Sequence, residues 1–270
     1  MRSHASQFLE QLAHSNAVLV WVQATRGSVP RGAGTWMGVF PDRLVATIGG
    51  GRLELDAINH ARAMTHEPGA VDTRRFSLGP SLGQCCGGDV ELRFECVQAA
   101  DAAGLAQRLE DIKSPVALFG GGHVGAALAT VLSTLPMELT WIDSRDEIFP
   151  QDLPSGIRCE HSNPVHRAVA DLAPLSRVLI MSFSHAEDLD IVAACLLRQR
   201  AQADLPFIGL IGSKTKWATF RHRLETKGFT PMELAHVTCP IGLEGIKDKR
   251  PEVIAVAVAA QLLQHGAGMP

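Results

Sequence analysis

The sequence predicts an α/β chain: a small N-terminal α+β domain over residues 1–100, then a parallel-sheet domain over 114–270, with a connecting helix at 101–113. Three observations carry this. After residue 114, short apolar runs alternate with helical patterns, as a parallel sheet covered on both faces requires. Before residue 100 the pattern is a hairpin and an alternating strand around few helices. The unusual residues of that earlier stretch gather in glycine-rich loops.

The elements follow in order. Residues 3–15 place Phe8, Leu9 and Leu12 on one helical face, and 17–23 read as a strand. A loop from Thr25 to Gly34 leads to a hairpin, 35–40 and 44–48, turning at Pro41-Asp42. Gly49-Gly50-Gly51 opens a helix at 53–64. Strands at 72–77 and 90–97 bracket the second glycine loop, Gly83-Gln84-Cys85-Cys86-Gly87-Gly88. In the later strand Leu92, Phe94 and Cys96 alternate with Arg93 and Glu95, which predicts one buried and one wet face. Leu105, Leu109 and Ile112 give the connecting segment its helical spacing. Strands are then expected at 115–119, 138–142, 177–182 and 207–211, and helices at 123–135, 189–200, 215–227 and 251–264.

Composition excludes several classes. The chain is 46% hydrophobic and 20% charged with a net charge of -3, and no block of like charge offers an arm for nucleic acid. The N-terminus lacks the apolar core of a signal peptide, and the most apolar stretch, 253–263, is about half of a membrane span. A cytoplasmic chain with neither membrane nor nucleic acid as partner is expected. Its six cysteines then form no disulfide framework, and Cys96, Cys159 and Cys195 read as core packing. Tyrosine is absent, which removes the catalytic group of short-chain dehydrogenases.

The chemistry-bearing residues fall in loops. Gly120-Gly121-Gly122-His123-Val124-Gly125 lies between a strand and a helix. Gly120 makes the tight turn, Gly122 admits a pyrophosphate to the backbone, and Gly125 packs helix on strand. Asp143 ends the next strand where an acid commonly meets a ribose hydroxyl, which makes the second domain Rossmann-like. His123 either faces a ligand or caps its helix. Ser213 and Lys214 follow a strand and could hold an anion, or Ser213 is a plain cap. His185, Asp188 and Asp190 could bind metal or move protons, although a helix start favours acids anyway. In the first domain, a thiolate at Cys85 or Cys86 could act as nucleophile or soft-metal ligand. Arg26, Arg31, Gly49, Gly50, Gly51 and Glu54 sit on neighbouring loops, where an arginine fork suits phosphate or oxo groups.

Taken in order, these segments resemble the XdhC/CoxI family over nearly the whole chain. The matching runs are Gly27-Ser28-Val29-Pro30-Arg31 through Met37, Gly49-Gly50-Gly51 with Glu54, Cys86-Gly87-Gly88 and Phe119 to Gly125. Asp143-Ser144-Arg145, Ser184-His185 with Asp188, Ile208 to Lys214, Pro240-Ile241-Gly242-Leu243 and Pro251-Glu252 with Ile254-Ala255 complete them. The resemblance implies a chaperone that receives molybdenum cofactor (molybdopterin), holds it during sulfuration, and passes it to the molybdenum subunit of apo xanthine dehydrogenase. It implies a cysteine desulfurase as second partner and no catalytic residue of the chain's own. Cys86 is then the expected molybdenum ligand, with Arg31 and the glycine loops on the pterin phosphate. A homodimer is left open. The alternatives are an NAD(P)-dependent oxidoreductase using the Rossmann-like domain, and an adaptor that bridges enzyme and desulfurase without touching cofactor.

Overall fold

The computed structural model describes residues 3–78, 87–109, 113–154 and 156–266. The chain divides into two units, Met1–Glu110 and Asp111–Pro270.

The first unit is built on an antiparallel sheet. Its strands are β1 (Ala17–Arg26), β2 (Trp36–Val39), β3 (Leu44–Ala46), β4 (Val71–Ser77) and β5 (Asp89–Val97), in the order β3-β2-β1-β5-β4. Alternation along β1 sends Val18, Val20 and Val22 to one face, where Leu53, Ala57 and Ala61 of α2 (Gly51–Met64) pack. Ala17 and Leu19 point the other way, against Phe8 and Leu12 of α1 (His4–Leu12). Full burial of Phe8 or Leu12 contributes roughly 1.5–3 kcal/mol each. Ser3 starts α1 by accepting a hydrogen bond from the Ser6 amide at 3.1 Å.

Two expectations change here. The connecting helix is α3 (Ala102–Arg108), and with Leu109 it belongs to the first unit, since Leu105 and Leu109 are buried beside Phe8 and Leu19. The wet face expected of β5 is covered at Glu95, which is only 7% exposed. Arg93 Nε and Arg108 Nη1 donate to its carboxylate at 2.6 and 2.9 Å, so a charged residue at an outward position is enclosed by its own counterions. Those bonds outweigh burial and hold the Glu95 carboxyl below its ordinary pKa.

The second unit has six parallel strands: β6 (Ser114–Phe119), β7 (Met137–Asp143), β8 (Ile157–His161), β9 (Arg177–Ile180), β10 (Phe207–Leu210) and β11 (Val237–Thr238). Their order is β11-β10-β9-β6-β7-β8. The chain runs outward from β6 to β8, returns to β9, and runs outward again. This is a Rossmann-like sheet, and its topological switch point lies between β6 and β9. One face is covered by α4 (His123–Leu132) and α8 (Pro251–Gly266), through Leu128, Leu132, Val258 and Leu262. The other is covered by α5 (His185–Gln202) and α6 (Lys214–Thr226), through Leu189, Val192, Phe220 and Leu224. The sequence reading lacked β8, β11 and the short α7 (Pro231–Leu234). Among the described residues no helix is long and apolar enough to cross a membrane.

Candidate functional site

In the second unit the loops after β6, β7 and β9 meet at the switch point. Gly120 has φ +121°, and a Cβ there would stand 1.9 Å from the Met181 carbonyl oxygen, so the turn after β6 crosses the end of β9 with no room for a side chain. Gly125 lies equally close to the Gly120 carbonyl, which seats α4 on the strand. Gly122 is the N-cap of α4, has no side-chain cap, and meets nothing within 4 Å where a Cβ would project. Gly120 and Gly125 thus make the turn and the helix packing that their spacing implies, the backbone at Gly122 is open, and His123 is exposed beside them.

Asp143 ends β7 with its side chain 1% exposed. Its carboxylate accepts from the Gly121 amide (2.5 Å), the Arg145 amide (2.8 Å), and Arg145 Nε and Nη2 (2.9 Å each). Burial raises its pKa, but the Arg145 and Gly121 bonds outweigh that and hold the carboxyl below the ordinary range. With these four donors in place, Asp143 fixes the glycine turn and Arg145. Arg145 in turn lies over the Phe183 ring, 4.7 Å from its centroid. Asp143 first, with Glu187 adding to it, keeps the guanidinium's pKa above its usual value. Ser144 donates to Glu187 Oε1 at 2.5 Å, while Glu187 Oε2 is buried without a hydrogen-bond partner among the described residues.

Beyond β9, Asp188 is 2% exposed. It accepts from the Ser182 amide (2.9 Å), Ser182 Oγ (2.7 Å) and Lys216 Nζ (2.6 Å). Lys216 also donates to the Ile211 carbonyl at 2.8 Å, so one buried ion pair ties the ends of β9 and β10 to α5 and α6. Ser213 is the N-cap of α6, its Oγ accepting from the Lys216 amide, while Lys214 is exposed. His185 is exposed, with its ring 6.3 Å from that of Phe220, and Asp190 lies 3.6 Å from Lys227. Among the described residues no group of three His, Cys, Asp or Glu side chains could hold a metal ion. Burial pushes the Cys239 thiol up to about 11 against the pull of Lys216, and that of Cys195 to about 12.

In the first unit three loops interlock. Gly49 has φ +122°, and a Cβ there would stand 2.5 Å from Pro30 Cβ and 3.4 Å from Arg31 Cγ. Gly88 lies against the backbone of Arg26 and Ser28, so the 26–31 loop touches both the Gly49 turn and the Gly87-Gly88 strand entry. Glu54 braces the glycine turn: its Oε2 accepts from Thr47 Oγ1, the Ile48 amide (2.9 Å) and the Gly50 amide (3.1 Å). Gly50 caps α2 without a side-chain bond, and Gly51 begins the helix. Arg31 is exposed and has no ion-pair partner among the described residues. Cys85 and Cys86 lie outside the described residues.

Sequence reasoning missed Phe183, Glu187 and Lys216 as site residues. Glycine spacing signalled the turn, but nothing local marks an exposed Phe or a buried Lys as belonging to a neighbouring strand end.

Residues 116–262 match the family model described as the XdhC Rossmann domain, and residues 11–77 match that of the XdhC and CoxI family. The uncharacterized protein YqeB of Escherichia coli (strain K12) is 27% identical over 246 residues, which are 89% of this chain and 42% of that protein. The chain therefore spans less than half the length of that relative. A Bacillus halodurans protein, described as a xanthine dehydrogenase, is similar in structure with a TM-score of 0.79 and 20% identity, covering 100% of this chain and 97% of the other. That likeness shows a shared fold.

Proposed function

The chain belongs to the XdhC/CoxI family, and from that premise we propose that it is a maturation factor that holds molybdenum cofactor during sulfuration and delivers it to apo xanthine dehydrogenase. The observation that carries this reading is the meeting of the 26–31, 49–51 and 87–88 loops, with Arg31 exposed among them. The donor set fits such a group. An unpaired guanidinium and the uncapped start of α2 suit a phosphate, and a thiol at Cys86, next in sequence to Gly87, suits a soft oxo-metal centre.

When bound, the cofactor supplies the metal and dithiolene chemistry; the chain's own residues bind, orient and shield it. Arg31 neutralises the phosphate, and Glu54 keeps the glycine turn in shape before any ligand arrives. The chain contributes no catalytic residue in this reading. Its partners are a cysteine desulfurase and the molybdenum subunit of xanthine dehydrogenase.

The test is molybdenum and pterin content after anaerobic loading, for wild type, Cys86→Ala and Arg31→Gln. Near-stoichiometric retention by wild type, reduced in both variants, supports the reading. Equal retention by all three removes the first-unit loops as the holding site. No retention by wild type overturns the reading and leaves the adaptor.

A further inference from the structure

The buried charges of the second unit are paired, with one exception among the described residues. Asp143 and Asp188 hold Arg145 and Lys216, and the enclosed Arg198 donates to Asp204 at 2.6 Å and to the Val169 carbonyl at 2.7 Å. Arg177 opens β9 and is only 4% exposed, yet among the described residues its side chain has neither an ion-pair partner nor a hydrogen-bond acceptor. Its Nε is enclosed without a partner. The two Nη nitrogens are equally unbonded but are not enclosed, so the outer edge of the guanidinium is what reaches the surface.

Alternation along β9 sends Val178 and Ile180 to the α5 side of the sheet and Leu179 to the α4 and α8 side, and Arg177 with it. Its cross-strand neighbours there are Val116 of β6 and Phe207 of β10, both buried in the same apolar cluster. His265, on the last turn of α8, lies with its ring 4.8 Å from that of Phe207. Arginine keeps its proton, so this group cannot escape the cost of burial by becoming neutral. The C-terminus of α8 offers roughly half a negative charge, too little to offset a whole guanidinium. An anion from outside the chain does offset it. We propose that Arg177 is the anchor of a binding site for a small monocarboxylate, its two Nη groups each donating to one carboxylate oxygen. The planar fork matches a carboxylate edge to edge. One negative charge balances one guanidinium, whereas a phosphate dianion would bring a second charge against the same apolar surround. The site lies at the far end of β6 and β9 from the glycine turn, so its occupant leaves Asp143 and Arg145 untouched. The assignment does not rest on the molybdenum reading, which concerns the first unit.

The experiment is thermal unfolding of the full chain at fixed ionic strength, with isobutyrate, isobutyramide or inorganic phosphate added, for wild type and Arg177→Met. For wild type a saturable rise of about 3–6 °C is expected once isobutyrate reaches ten times its dissociation constant. Isobutyramide, of the same shape without the charge, is expected to give no rise, and phosphate a smaller one than isobutyrate. Arg177→Met keeps most of the apolar bulk and removes the unpaired charge. It is expected to melt no lower than wild type without added carboxylate, and to ignore isobutyrate. An arginine held only for structure would instead make the variant melt lower. That result overturns the assignment, as does a wild type indifferent to isobutyrate, a response to isobutyrate kept by Arg177→Met, or a larger rise with phosphate.

Discussion

Replacing Asp188 with alanine would leave the Lys216 ammonium inside the second unit with one carbonyl as its partner. The lysine side chain is 12% exposed and the aspartate 3%, so water screens little of what is lost. The substitution removes the 2.6 Å contact to Lys216 Nζ and strips Ser182 of the acceptor for both its amide and its hydroxyl. Breaking a buried pair from one side costs about 3–5 kcal/mol, chiefly because the surviving charge is stranded. For a chain of this size, each kcal/mol moves the melting temperature by about 2–4 °C, which gives a fall of roughly 6–20 °C. Lys216→Met is milder, because Asp188 keeps both Ser182 donors and the methionine can lie on the Phe220 ring that Lys216 now approaches at 5.4 Å. In the double variant no charge is stranded, so its loss should fall short of the summed single losses by about 1–3 kcal/mol. Thermal and urea unfolding of the four proteins of this cycle measures the coupling. Additivity within about 0.5 kcal/mol would show that the pair is not coupled and would refute the reasoning.

Asp143 is held below its ordinary pKa, so its contribution to stability is present above the unfolded value of about 3.9 and is lost as pH falls through the folded value. Asp143→Asn should therefore lower stability at neutral pH and flatten the acid limb of the unfolding profile. NMR titration of the carboxyls gives a control, with the partly buried Glu233 expected to titrate at about 2 because Arg200 and Thr230 bind its charged form. Gly120→Ala should destabilise the second unit by more than the roughly 1–3 kcal/mol of backbone strain alone, since its Cβ would meet the Met181 carbonyl. Gly122→Ala, projecting into open space, should stay within about 0.5 kcal/mol of wild type in a melting assay, and equal losses would contradict the geometry.

What could be read in advance depended on whether the cause was local. The Gly120, Gly122 and Gly125 spacing was legible because each glycine answers a backbone constraint within one turn. Apolar runs such as 115–119 and 207–211 were legible because a strand buried on both faces must be continuous in hydrophobicity. The edge strand β8 reads Ile-Arg-Cys-Glu-His, half polar, and carries no such signal. Helix α5 starts at His185, earlier than its apolar pattern, because Ser184 fixes the start by accepting from the Glu187 amide at 3.2 Å. The Lys216–Asp188 pair and the Arg145–Phe183 stack join residues far apart in sequence. Only the strand order makes them neighbours, and no spacing rule encodes it. Glu95 shows the same limit from the other side, since alternation places it outward and the arginines of β5 and α3 close over it.

The outer strands of both sheets bear on how the protein behaves when crowded. In the first unit β4 is the long free edge, and it carries Asp72, Arg74 and Arg75, each in an ion pair; the opposite edge, β3, has only three residues. In the second unit β8 carries Arg158 and Glu160, 3.7 Å apart, and β11 has two residues. A second molecule adding a strand to β4 or β8 would have to displace fixed charges, and β3 and β11 offer too little length to template one. Both sheets thus end in edges that oppose strand-by-strand addition of a second molecule, through fixed charge on one side and shortness on the other.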